Sequence, residues 1–306
     1  MTAPHGQFTT RSLTRRSALI GGAGLLGAGL AACSSGSSSK GKKGDTITLG
    51  YVPSWTDGLS TAYLLDNRLT KMGYKVEHQQ IEQPGALYAA LAKGDIDIYP
   101  SAWPEVTHKP YMDKYKDKIA DLDTYYKGAK LTIAVPKYTK IDSIAELKDN
   151  ADMFGGKLYG IEPGAGLTKQ TKKMLPEYGL EDTYDFVTSS TTAMLSQLKK
   201  ATDKKKDIVV TLWRPFWANT AFPVKDLKDP KGAMGKAEGL HFLAREDFSD
   251  DYEDIAKFIG GIKLDDKQYN TLEDDVVNKF GKGKEPEAVK KWLKDNPDVL
   301  PEVKEG

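Results

Sequence analysis

Three tryptophans in this 306-residue chain hold the same place relative to short apolar runs. Ile208-Val209-Val210 reads as a buried strand, and L-W-R-P-F-W at 212–217 follows it with Trp213 at the carboxyl end. Ile47-Thr48-Leu49-Gly50-Tyr51-Val52 runs into Pro53-Ser54-Trp55. Ile96-Asp97-Ile98-Tyr99 runs into Pro100-Ser101-Ala102-Trp103-Pro104. Proline cannot continue a central strand, so each strand is expected to stop there with its tryptophan at the tip. In open α/β sheets that tip is where ligands bind. Indole faces attract cations, by roughly 0.5–1 kcal/mol when exposed and about 2 or more when desolvated. A quaternary ammonium suits such faces, because it is weakly hydrated and gives up no strong hydrogen bond on burial. The other two tryptophans read differently: Trp292, in V-K-K-W-L-K-D, belongs to the core face of an amphipathic helix, and Trp217 packs behind the 212–217 tip.

The usual catalytic patterns are absent from the sequence. None of His5, His78, His108 and His241 sits in a metal-ligand spacing, and no G-x-S-x-G elbow occurs. Gly164-Ala165-Gly166 follows a strand over Lys157–Ile161, but the third glycine of a dinucleotide fingerprint is missing and Lys169 has no P-loop spacing before it. The expectation is a binding protein with no cofactor and no metal. Gly164-Ala165-Gly166 leads into a helix over Thr168–Tyr178, whose free N–H groups and dipole favour an anion; its plainer reading is a tight strand–helix turn. Arg214 is a second candidate partner for an anion, or a rim charge. His108, in T-H-K-P-Y, reads first as structural and second as a site residue, and Lys204-Lys205-Lys206 as a solvated loop.

The elements that would position these residues alternate. Strands are expected over Thr46–Val52, Tyr74–Ile81, Asp95–Tyr99 and Ala129–Val135, with helices over Leu59–Met72, Pro84–Lys93 and Tyr111–Ile119 between them. A second unit repeats the rhythm: strands at Lys157–Ile161, Tyr184–Val187 and Ile208–Leu212, and helices at Thr168–Tyr178 and Thr191–Lys200. A last strand, Gly239–Ala244, precedes helices at Tyr252–Ile259, Asp265–Lys279 and Pro286–Asn296. Such alternation predicts an α/β fold of two lobes, each a mostly parallel sheet flanked by helices. The segment from about Ala237 is too poor in strands to form its own sheet, so it is expected to return to the first lobe. Lobe one is then 46–135 plus 237–306, lobe two is 136–236, and the chain crosses between them twice as a two-stranded hinge. A cleft between such lobes would hold a small ligand.

The first 32 residues do not read as fold. Arg15-Arg16 precede an apolar run from Ala18 to Ala32 that is shorter than the about 20 residues of a membrane span, the pattern of an export signal, with the paired arginines pointing to the twin-arginine route. Leu30-Ala31-Ala32-Cys33 resembles a lipobox, with Cys33, the chain's only cysteine, as the lipidated residue. Residues 33–45 read as a flexible Ser/Gly/Lys-rich tether. Without Arg11, Arg15 and Arg16 the 44 basic residues fall to 41 against 43 acidic ones, a net charge of −2 and no signature of a nucleic-acid binder. The expected product is an extracytoplasmic monomer held to the membrane by lipid alone.

W-T-D at 55–57, S-A-W-P-E-V-T-H-K-P-Y-M-D-K-Y at 101–115 and L-W-R-P-F-W at 212–217 together resemble the substrate-binding lipoproteins of bacterial ABC importers for glycine betaine, choline and related osmolytes. The resemblance covers essentially all of residues 46–300. It implies the two-lobed, periplasmic-binding-protein-like (type II) fold, a membrane permease as partner, and Trp55, Trp103 and Trp213 as walls of a cage for a trimethylammonium group. Asp57 matches an acidic residue that helps hold the cationic head or hydroxyl in choline-binding relatives. The chain departs from the family at Leu131, where choline-type relatives often carry an aromatic residue, and at Phe216, where betaine-type relatives carry His in W-x-P-H-W. Tyr111 or Tyr126 could supply the missing wall. Glycine betaine is the first expectation for the ligand, with choline, proline betaine and carnitine as alternatives. An exported enzyme acting on a choline-like cation is a competing reading from another class, and it lacks a nucleophile and base.

Overall fold

The computed structural model describes residues 41–302. The export signal and Cys33 lie outside these residues, as does most of the expected tether. Its last residues, 41–45, are bonded to the fold rather than free: Gly41 N donates to the Asp251 carbonyl and Gly44 N to that of Gly73.

The elements follow in order. Strand β1 (Thr46–Tyr51), helix α1 (Thr56–Lys71), β2 (Lys75–Gln80), α2 (Pro84–Lys93), β3 (Ile98–Ala102), α3 (Lys109–Tyr115) and the long β4 (Ile119–Pro136) come first. After two 3-10 turns come β5 (Lys157–Tyr159), α4 (Gly166–Glu177), β6 (Asp185–Val187), α5 (Thr191–Asp203), β7 (Val209–Arg214), α6 (Ala218–Ala221) and β8 (Val224–Asp226). Then come β9 (Glu238–Arg245), α7 (Phe248–Asp251), α8 (Glu253–Gly260), α9 (Asp266–Asp274) and α10 (Glu285–Asp295).

The strands form one continuous series, β2-β1-β3-β9-β4-β7-β5-β6, with β8 also on β4. Its outer pairs, β1 with β2 and β3, and β5 with β6 and β7, are parallel, as strand–helix alternation predicts. The pairs around β4 and β9 are antiparallel, which alternation does not reveal. β4 is the join. Up to Ala129 it pairs with β9, and from Lys130 it pairs with β7 and β8. The chain crosses between the two halves of the sheet along β4 and returns through residues 227–237 to β9.

Several expected boundaries move for identifiable reasons. The strand expected at 129–135 begins ten residues earlier. Its first part is polar and half exposed, and its register slips against β9 at three places, so no clean period marks it. β3 does not stop at Pro100 but runs to Ala102, because a bulge between Tyr99 and Ala102 takes up the residue that cannot donate. Trp213 lies within β7, paired with Leu131, rather than beyond it, because the ladder with β4 runs on to Arg214. The helix expected over 265–279 is α9, started by an Asp265/Gln268 capping box, followed by a wider π-helical turn at Asp275–Phe280. Trp292 is buried on α10 and donates its indole N–H to Thr271 Oγ1 at 2.9 Å.

Candidate functional site

Trp55, Trp103 and Trp213 line one cavity. Each arrives by a different route. Trp55 is the residue before α1, Trp103 follows β3, and Trp213 sits in β7 across from Leu131, which lines the same cavity. The three indoles are 8, 5 and 5% exposed, so little of any ring meets bulk water. The cavity is tight: the space between its walls, counted with the open mouth, is about 330 Å³.

Each ring is held from behind. Trp103 Nε1 donates to Asp57 Oδ2 at 3.2 Å, and the same oxygen accepts from Ser101 Oγ at 2.7 Å. Asp57 lies in the first turn of α1, lines the cavity and is 3% exposed. Burial pushes its carboxyl group up from the usual range, while the bonds from Ser101 and Trp103 pull it back. Trp55 Nε1 donates to Glu162 Oε2 at 3.2 Å. Trp213 is backed by Phe216, with centroids 3.9 Å apart and rings 20° from parallel. Phe216 is therefore packing for an indole and does not line the cavity.

His108 does line it. Its ring stacks on Trp55 at 5.8 Å, and its Nδ1 accepts from the Trp103 backbone N–H at 3.2 Å. Burial, with Lys169 nearby, lowers its pKa to about 3, so the imidazole is neutral and repels no cation.

The glycine turn divides. Ala165 and Gly166 line the cavity together with Leu167, whereas Gly164 stands outside its wall, its carbonyl accepting from Tyr111 Oη at 2.8 Å. Helix α4 starts at Gly166 with Ala165 as its cap, a residue with no side chain to satisfy the first N–H groups. Three further candidates also fall outside the wall. Tyr111 stacks on Tyr88 and receives Lys169 Nζ at 3.0 Å, which makes it a strut between α3 and α4. Arg214 is engaged by Asp226, Nη2 to Oδ1 at 3.0 Å, and so is not free for an anion. Tyr126 donates to Asp266 at 2.8 Å and packs on Tyr269, away from the cavity.

Sequence reasoning missed Thr107, Ile161, Leu167 and Glu162. Thr107 and Leu167 are the chain neighbours of His108 and Gly166, and Ile161 ends the strand read at 157–161. Glu162 follows the β5 segment at its carboxyl end, the topological position that singled out the tryptophans, and that rule would have found it. Among the described residues no group of three or more His, Cys, Asp or Glu is arranged to hold a metal ion.

Two halves joined by β4 and by the returning segment at 227–237, with an aromatic-walled cavity between them, are the architecture of two-lobed solute-binding proteins. The family described as the substrate binding domain of ABC-type glycine betaine transport systems matches residues 45–295, and the chain belongs to it. It is 36% identical over 163 residues to the glycine betaine/carnitine transport binding protein GbuC of Listeria monocytogenes. That alignment covers 52% of this chain and 52% of the relative, so the chain spans about half the length of that protein. The glycine betaine, L-proline ABC transporter binding protein ProX of Borrelia burgdorferi superimposes with a TM-score of 0.77 at 32% identity, over 84% of this chain and 97% of that one. Lactococcal OpuAC, closed and complexed with glycine betaine, gives a TM-score of 0.76 at 30% identity, over 83% and 97% of the two chains.

Proposed function

We propose that this protein is the extracytoplasmic receptor of an ABC importer and captures glycine betaine between its two lobes, 46–135 with 237–306 and 136–236. One observation carries the reading: three indoles from stretches far apart in sequence wall a single small cavity that also receives the uncapped start of α4. The trimethylammonium group sits against Trp55, Trp103 and Trp213. The carboxylate sits at the N–H groups of Gly166 and Leu167, where the helix dipole favours negative charge. The start of α1 is the weaker anion port, because Asp57 already places a carboxyl group there. The mechanism is closure: each lobe brings aromatic surface that only the bridged cation uses, so the ligand favours the shut form. The chain itself performs no chemistry and delivers the solute to a membrane permease. Cys33 supplies the lipid anchor, and residues 1–32 the export signal.

Choline is the second reading, favoured by the buried Asp57 on the cavity wall. Calorimetry of residues 45–306 against glycine betaine, proline betaine, carnitine, choline and dimethylglycine separates the two. Tightest binding is expected for glycine betaine, with dimethylglycine at least about tenfold weaker, because its N–H keeps a hydration shell that the cage cannot replace. Choline binding alone would replace the first reading by the second. No binding across the panel would overturn both.

A further inference from the structure

Glu162 lies just beyond β5 in the second half of the sheet and is 4% exposed. It does not line the cavity. It stands behind one wall and collects four donors. Oε1 accepts from Ser54 Oγ at 3.2 Å and from Thr191 N at 2.9 Å. Oε2 accepts from Trp55 Nε1 at 3.2 Å and from Thr191 Oγ1 at 2.9 Å. Each oxygen receives an N–H, which suits the ionised group. Two of these donors, Ser54 and Trp55, come from the half of the sheet that carries β1. The bond to Trp55 therefore spans the cleft and exists only when the halves are together.

An indole that donates its N–H to a carboxylate gains electron density on its ring, and the face it turns to the cavity becomes more negative. We propose that Glu162 is a positioning residue that, on closure, fixes the orientation of Trp55 and strengthens its face toward a permanent cation. The wall is thus completed by the lobe opposite the one that carries it. Trp103 has a comparable bond, to Asp57, but that carboxyl group comes from the same half of the sheet and is present whether the cleft is open or shut. Only the Trp55 bond couples the strength of the cage to closure.

The inference rests on the cation-binding reading above, and its test separates the two. Glycine betaine and its carbon isostere 3,3-dimethylbutanoate have the same shape and the same carboxylate, and only the first is a cation at the central atom. Both are titrated into wild type, Glu162→Gln, Trp55→Phe and the double variant. Glutamine keeps an acceptor for Trp55 and removes the charge. The expected result is about tenfold weaker glycine betaine binding in Glu162→Gln with isostere binding unchanged, and no further loss when Glu162→Gln is added to Trp55→Phe. Unchanged isostere binding also reports that the variant is folded and closes. Equal loss for both compounds makes Glu162 a brace of the lobe interface alone and overturns the proposal. So does a Glu162→Gln effect that survives in Trp55→Phe, or titrations that superimpose on wild type. Wild type that binds no quaternary ammonium overturns the reading of the site and this proposal with it.

Discussion

On the proposed reading each indole in the cavity wall faces the same cation, and each can be removed singly. Trp103→Ala and Trp213→Ala are expected to weaken ligand binding by about 30-fold each, the equivalent of roughly 2 kcal/mol of desolvated cation–π contact. Trp292→Ala touches no cavity atom. It should leave affinity unchanged and lower stability by about 3–5 kcal/mol, as removal of a buried tryptophan does. Calorimetry and denaturant melts on the three variants check both halves of this statement, and equal affinity loss in all three contradicts it. Glu273 makes a second prediction at this scale. It is 1% exposed and accepts from Thr56 Oγ1, and burial raises its pKa from 4.5 to about 8, with Asp57 adding to the rise. The folded protein therefore holds a proton that the unfolded chain releases above about pH 4.5. Stability is lost progressively as pH rises from there to about 8. Glu273→Gln removes that dependence, so its Tm should gain on wild type across this window, by about 2–4 °C for each kcal/mol recovered. A Tm difference that is flat between pH 5 and pH 8 would show that Glu273 is not held neutral.

Among the elements, the turn into α4 packs directly against the segment before α3. A Cβ at Gly166 would lie 2.3 Å from the Thr107 carbonyl oxygen and 2.4 Å from its Cγ2. Gly166 opens α4 and Thr107 precedes α3, so the clash falls between the two halves. Gly166→Ala should reduce affinity by tenfold or more and leave the melting temperature of the unliganded protein nearly unchanged, since the contact belongs to the shut form. Small-angle scattering with saturating ligand checks this: wild type compacts, and the variant stays expanded. The elements themselves were largely legible in the sequence. Pro84 and Gly94 bracket α2 as read, and apolar periods placed α1, α4 and α5 within a few residues. The first ten residues of β4 were not legible, because a half-exposed strand with three register slips shows no alternation. The tryptophans could be read because large aromatics beside proline mark strand ends. Glu162 shares that strand-end position, but its role was not legible, since the indole it binds lies 107 residues away in the sequence. Arg214 and Tyr111 were plausible by type and were drawn elsewhere by Asp226 and Lys169, partners that spacing does not disclose.

At the scale of the whole molecule, the contacts between the halves include Ser54 and Trp55 on Glu162, Tyr111 on Gly164 and Lys169, and the close approach of Thr107 to Gly166. On the proposed reading, the first would complete the cage, the second brace its rim and the third limit how far the halves can close, with the ligand tipping the balance toward the shut form.

β4 belongs to both halves without a break, and its slips against β9 at 121–123, 124–126 and 127–129 lie just before it changes partners. The connection is thus a paired ribbon rather than a free pivot. Motion of one half twists the ribbon where its ladder is already irregular, and the paired stretches on either side resist. Such a joint has a rest angle. The empty receptor would return to a narrow range of openings instead of wandering, and in a loaded one the displaced ribbon would favour reopening.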